Sequence, residues 1–490
     1  MNPVRVARVL PAVVAICLLI AGGAALSGRA DAAPEGAAEL SMRVSTDGMT
    51  YDQYRQRQVE MITRLTGDLP GRTLDVPARI ELTQAEVRSV EQGSGLQGTP
   101  LAVGVVKALA PRLDLDGLVR ARRGFGAPSK DGGYDWAIAL TSSGAGAIRV
   151  HIEGMELPPS AELSIYSRMG EAFGPYRLNG PNGDGEFWTD TVFGTEAILQ
   201  IHVAGPATAD DLAGVALSVT EVGIVLPRFS GEFTPQPTPP QTTFPCGNPA
   251  CLVDATCGTT AAPAVPAKNA AAKMEWTQGA YIYTCTGTLI NDTNPSQDNF
   301  FLTAAHCVGN NKTAGNLQLY WRFATSSCNG TCPDNAGWPY KTAGATVAAT
   351  GKKGDYTLLH LNAPPPSGSV FLGWNSTPVA NTSGAHLYRI SNPDFGPQVY
   401  SQHDVDTAFG ACGGWPRGNW VYSRDIVGAI DGGSSGSSIL NASSQIVGQL
   451  SGTCGGNVSS ACDSGPGEAN TTVDGAFASY FASIKPIINP

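Results

Sequence analysis

The sequence predicts a mainly β protein, and three observations carry that expectation. Charged residues are sparse at 15%, whereas 59 glycines and 35 prolines supply many turns and few long surface helices. Apolar residues recur in steps of two over short runs, the period of a strand with one buried face. At 490 residues and 42% hydrophobic content, the chain can also build two or three ordinary cores.

The first segment is not part of that fold. Arg5 and Arg8 precede an apolar run from Val9 to Leu26, and Ala30-Asp31-Ala32 follows as a small-x-small cleavage pattern. Residues 1–32 therefore read as a secretory signal peptide. No other run is long and apolar enough to read as a spanning helix, so no membrane association is expected once the leader is removed. The net charge of -10 offers neither the basic footprint of a nucleic-acid binder nor a polybasic membrane patch.

Residues 33–228 contain no cysteine. Tyr51, Tyr54, Met61, Ile62 and Leu65 fall among polar residues between Thr46 and Gly67, the spacing of an amphipathic helix. Thr83 with Glu86 three residues on forms a capping box opening a second, short helix. The period then changes to two. Trp136, Ile138 and Leu140, then Ile148, Val150 and Ile152, then Leu199, Ile201 and Val203 alternate with their neighbours between Gly and Pro turns. Such strands over about 100 residues predict a β-sandwich.

Residues 229–245 hold Pro235, Pro237, Pro239, Pro240 and Pro245 with Thr and Gln between them, an extended linker and a natural place for proteolysis. Beyond it, residues 246–490 carry ten of the eleven cysteines, from Cys246 to Cys462. Ten cysteines in one half fit a disulfide framework made in an oxidising, extracellular setting. No Cys-x-x-Cys pair faces another pair, or a His pair, at zinc-finger spacing, and neither metal nor cofactor is expected. Ala363-Pro-Pro-Pro-Ser-Gly368 divides this half into two sub-domains.

Chemistry is concentrated in three stretches. Phe301-Leu-Thr-Ala-Ala-His-Cys307 is an apolar strand that ends on His306, and a disulfide from Cys307 back to Cys285 would fix that end. Asp355 heads the apolar run Tyr356 to Leu361, where an ionised carboxylate can orient one imidazole nitrogen. Ser435 lies within Asp431-Gly-Gly-Ser-Ser-Gly-Ser-Ser438, where glycines allow the bend that exposes a hydroxyl. The amides of Gly433 and Ser435 are the matching oxyanion donors. A serine hydroxyl is inert without a base, and the base needs a third group to orient it. His306, Asp355 and Ser435 supply all three.

Those stretches resemble trypsin-like serine proteases, most closely the secreted bacterial lysyl endopeptidase family. Cys285-Thr-Gly-Thr-Leu-Ile290, Leu302-Thr-Ala-Ala-His-Cys307, Asp355-Tyr-Thr-Leu-Leu359 and Gly433-Ser-Ser-Gly-Ser437 carry the likeness, which extends over the cysteine-bearing half. The resemblance implies a pair of six-stranded β-barrels, with His306 and Asp355 from the first, Ser435 from the second, and the sandwich half as an N-terminal pro-region. It implies a secreted monomer, made as a zymogen, that acts on protein or peptide substrates. By similarity Cys251 joins Cys462 and Cys257 joins Cys328. Cys412 with Cys454 would clamp the substrate pocket, and Cys246 is left to Cys332.

Three departures from that family bear on function. Ser434 stands where many animal trypsins place the aspartate that a freed N-terminus neutralises. The family's pocket aspartate falls on Asn470 or Thr471, with Glu468 and Asp474 as flanking carboxylates, and Ser451 replaces the family histidine beside Gly452 and Thr453. Ser451, Gly452, Thr453, Asn470 and Thr471 are the candidate pocket residues, and a Lys or Arg preference lacks an assured carboxylate. The competing reading is a catalytically silent, protease-fold binding protein whose sandwich is the working module.

Overall fold

The computed structural model describes residues 38–69, 74–93, 95, 97–229, 250–330 and 339–490. The leader expected at 1–32, most of the linker expected at 229–245, and the pairing of Cys246 with Cys332 lie outside the described residues. None of the described helices is long and apolar enough to cross a membrane.

Helix α1 spans Tyr51–Asp68, opened by Thr50, whose hydroxyl accepts the Gln53 amide while the Gln53 side chain returns to the Thr50 amide. Helix α2, Gln84–Glu91, starts on the predicted Thr83–Glu86 box. The sandwich is built from β1 Leu101–Asp114, β2 Tyr134–Thr141, β3 Ala147–Glu156, β4 Ala161–Tyr166, β5 Ala172–Tyr176, β6 Glu196–Val203 and β7 Ala216–Val225. One sheet runs β2-β6-β4-β5 and the other β3-β7-β1. Trp136, Ile138, Leu140, Ile148, Val150, Ile152, Leu199, Ile201 and Val203 share one core, as their alternation requires. The intervening Ala137 and Ala139 face Met61 and Leu65 of α1, small enough for a helix to lie on the sheet.

The first barrel comprises β8 Ala271–Gln278, β9 Tyr281–Leu289, β10 Phe300–Ala304, β11 Gln318–Trp321, β12 Tyr340–Ala343, β13 Ala345–Gly351 and β14 Tyr356–Leu361. Pairings run β13-β14-β10-β9-β8-β11-β12, and β12 passes into β13 through Gly344 without pairing to it, so this half is an open half-barrel where a second closed barrel was expected. The second barrel has β15 His386–Ser391, β16 Val399–Val405, β17 Trp420–Val427, β18 Ser438–Leu440, β19 Ile446–Gly455 and β20 Asn470–Ala476. Its pairings form a closed circuit, β15-β16-β17-β20-β19-β18-β15. The chain ends in α3, Phe477–Ile488. Disulfides join Cys251–Cys462, Cys257–Cys328, Cys285–Cys307 and Cys412–Cys454, as the resemblance implied.

The sandwich and the first barrel share one sheet: β1 pairs antiparallel with β9, placing Leu101 opposite Thr284 and Val105 opposite Tyr281. At the N-terminal end, Glu39 and Leu40 pair with Asn375 and Trp374 of the second half. The linker therefore separates the two halves in sequence and not in space.

Charged groups are buried where sandwich and barrel meet. Lys341 of β12 donates to Glu171 at 2.8 Å and to the Thr191 carbonyl at 2.9 Å, and both charged side chains are almost wholly buried. Tyr320 donates to Glu275, and Arg149 lies 3.6 Å from the same carboxylate. Removing one member of a buried pair strands the other charge, typically at about 3–5 kcal/mol, whereas replacing both can be nearly neutral. We expect Glu171→Ala to lower stability by about that amount, and Glu171→Leu combined with Lys341→Met to recover most of the loss. Urea denaturation of the full chain carrying Ser435→Ala is the measurement; equal losses in single and double variants would contradict it.

Candidate active site

Strand β10 and its neighbours set the position of His306. The Ala305 amide donates to the Asp355 carbonyl at 3.0 Å, and the Cys285–Cys307 disulfide ties the turn after His306 to β9. Asp355 grips the histidine twice. One carboxylate oxygen accepts the His306 amide at 2.9 Å, and the other contacts Nδ1 at 2.7 Å. A carboxylate at that distance favours Nδ1–H and leaves Nε2 as the free base.

Asp355 sits at φ 50, a left-handed backbone that a non-glycine residue occupies only when its surroundings impose it. The surroundings come from the second barrel. Gln449 of β19 donates through its side-chain amide to the Gly354 carbonyl at 2.6 Å and to the Asp355 carbonyl at 3.1 Å. Its own oxygen accepts from the Tyr480 hydroxyl of α3, and the Tyr480 ring stacks on Tyr356 at 4.2 Å. A Cβ on Gly475 would overlap the Gly354 carbonyl, so glycine there lets the two barrels close on this loop. Sequence reasoning missed Gln449 and Tyr480, because a buried polar contact between distant segments leaves no periodic trace.

Ser435 is buried on the loop between β17 and β18. Its carbonyl accepts the Thr286 amide of β9 at 2.8 Å, and the Thr286 hydroxyl donates to the Gly433 carbonyl at 2.9 Å. Gly433 and Gly436 have φ of +91 and +82, and a Cβ on Gly436 would overlap Thr303 Oγ1 and the Thr286 carbonyl. The amides of Ser434, Gly436 and Ser437 donate to Asp431, Leu450 and Ser434 carbonyls. Those of Gly433 and Ser435 make no hydrogen bond among the described residues. The structure thus brings His306, Asp355 and the Ser435 loop to one seam. His306 Nε2 is buried without a hydrogen-bond partner among the described residues. The Cys285, His306 and Cys307 donor atoms also cluster, but both sulfurs are spent in the disulfide.

The candidate pocket residues are largely committed. The Ser451 hydroxyl accepts from Trp420 Nε1 at 3.3 Å, Thr471 donates to the Ser423 carbonyl at 2.8 Å, and Asn470 is bonded to Asn457. Of the flanking carboxylates, Glu468 is exposed and Asp474 is buried against Arg389 at 2.6 Å. The other histidines are not isolated: His202, His386 and His403 each contact an aspartate through Nδ1. Of these, His403 reaches the Ser435 loop only through Arg389, which donates to Ser437 at 2.8 Å.

Two further aspartates stand at that loop. The Asp394 amide donates to the Gly432 carbonyl at 2.7 Å, and Asp394 is itself left-handed at φ 50. Burial, then repulsion from Asp394, pushes the Asp431 carboxyl up to about 7; burial, opposed by Arg228, pushes Asp394 up to about 6. Both folded values exceed those of the unfolded chain, so the folded state holds more protons between pH 4 and 7. The stability these groups contribute is therefore complete below about pH 4 and lost as pH rises through about 7. We expect urea midpoints of the Ser435→Ala chain to fall over that window, and Asp431→Asn to flatten the fall; an unchanged slope in Asp431→Asn would contradict it.

Residues 248–470 match the family model described as lysyl endopeptidase, C-terminal domain. The lysyl endopeptidase of Pseudomonas aeruginosa is 30% identical over 376 residues, covering 72% of this chain and 74% of that protein. Among solved structures, the active form of the Rv3671c protease from M. tuberculosis matches at 17% identity and a TM-score of 0.30, over 52% of this chain and 95% of that one. The HtrA-type protease AlgW with a tripeptide matches at 13% identity and a TM-score of 0.30, over 46% and 62%.

Proposed function

Because the chain belongs to the lysyl endopeptidase family, we propose that it is a secreted serine endopeptidase made as a preproenzyme, with His306, Asp355 and Ser435 as its triad. The observation that carries this reading is the paired contact of Asp355 with the amide and Nδ1 of His306, beside a buried serine loop with two unused amides. In this reading His306 Nε2 takes the Ser435 hydroxyl proton as the oxygen attacks the substrate carbonyl. The Gly433 and Ser435 amides hold the oxyanion, the imidazolium returns the proton to the leaving amine, and water then hydrolyses the acyl-enzyme. Residues 33–228 are the pro-region, and the four disulfides favour an extracellular destination.

For the primary pocket, neutral Asn470 and Thr471, with Asp474 already engaged by Arg389, favour a preference looser than strict lysine. Burying a substrate ammonium without a counter-charge costs several kcal/mol. Ser435→Ala should abolish casein hydrolysis by the processed enzyme, and a peptide library should show arginine or uncharged residues accepted beside lysine before the cut. Equal hydrolysis by wild type and Ser435→Ala would sink the enzyme reading in favour of a binding protein; cutting only after lysine would sink the pocket reading.

Gln449 is a positioning residue in this scheme. Gln449→Leu removes two hydrogen bonds to the Asp355 loop; the Gly354 carbonyl is left without a partner at a cost of about 1–3 kcal/mol, whereas the Asp355 carbonyl keeps the Ala305 amide. We expect kcat to drop by about tenfold with KM little changed, because only the placement of the base is disturbed. A change confined to thermal stability would show Gln449 to be structural only.

A further inference from the structure

A stretch of the sandwich half crosses the seam between the barrels beside the triad. Gln97 forms an antiparallel bridge with Gly452 of β19, and four residues on, Leu101 of β1 pairs antiparallel with Thr284 of β9. The two contacts flank the site. Gly452 follows Leu450, whose carbonyl holds the Gly436 amide, and Thr284 precedes Cys285, which is bonded to Cys307 beside His306. Four residues of extended chain span at most about 14 Å, so residues 97–101 have little slack between the anchors.

Both anchors occupy strand positions whose other side is already paired: Gly452 with Val473, and Thr284 with Glu275. These are the open edges to which an extended peptide adds as an antiparallel strand. Between them the chain bends. Gly98 has φ +66, and a Cβ there would lie 3.1 Å from the Trp415 ring. Thr99 is exposed, pointing its side chain to solvent and not into a pocket, and Pro100 follows.

Resting on the peptidase reading above, we infer that Gln97–Pro100 is an internal strap that keeps substrate out of the cleft. It holds the two strand edges to which a substrate backbone would add, and it bends at Gly98 between them; in this reading the strap occupies the cleft without being cut.

The test uses the full-length chain, shown uncut by mass spectrometry, against its processed form, with a peptidyl fluorophosphonate that labels an activated serine. A strap closed in nine-tenths of molecules slows labelling about tenfold, and we expect at least that difference. Gln97→Pro, and separately two glycines inserted between Thr99 and Pro100, should restore the full-length chain to the processed rate. Full-length wild type labelling as fast as the processed form overturns the strap, as do two folded variants that remain slow. As a check free of mutation, hydrogen exchange at residues 97–101 of full-length wild type should speed up when a peptidyl boronate is bound; unchanged exchange overturns the inference. An unreactive processed form defeats the peptidase reading instead, and is distinguished by that control.

Discussion

The site depends on one close approach, the docking of the Ser435–Gly436 backbone onto β9 and β10 across the seam between the barrels. The Ser435 carbonyl meets the Thr286 amide, the Gly433 carbonyl meets the Thr286 hydroxyl, and Gly436 lies where no side chain fits. Thr286 follows Cys285, and Thr303 precedes His306 by three residues, so the same two strands carry the proposed base and receive the proposed nucleophile. Packed interiors transmit such constraints almost rigidly. A single contact surface thus fixes the distance between groups more than 100 residues apart in sequence. Gln449 and Gly475 add a second crossing, which holds Asp355 in a left-handed conformation that its own sequence would not choose.

How legible this was depended on the range of the interaction. His306, Asp355 and Ser435 were readable because each ends or begins an apolar strand with local punctuation, and the Thr83 cap because it is complete within four residues. The sandwich core was readable from its period of two. Gln449, Tyr480 and the pairing of β1 with β9 were not, because they join segments with no shared periodicity. Nor was a histidine–aspartate contact diagnostic in itself. His202, His386 and His403 each have one, and what separates His306 is the serine loop beside it and the second hydrogen bond from its backbone.

The pocket shows why a family position does not transfer its chemistry automatically. Asp474 is a carboxylate within four residues of the expected place, yet Arg389 takes it inside the second barrel, where both side chains are fully buried. Drawing it toward a substrate cation would strand the Arg389 guanidinium, a cost comparable to the gain. A carboxylate already neutralised by a buried arginine cannot serve a second cation at low cost, which is why the neutral residues at 470 and 471 carry the proposal for the pocket.

The contact between sandwich and barrel follows a related logic. A purely apolar interface of shared sheet would separate only by exposing its core to water. Here the buried contacts include Lys341 with Glu171 and Glu275 with Arg149 and Tyr320, groups that water solvates well once they part. Desolvation offsets much of their attraction while they are together, so they contribute orientation more than adhesion. The pro-region proposed above, holding the inferred strap across the cleft in register and later leaving, would be served by contacts of this kind: they fix where β1 lies against β9 without making its departure prohibitive.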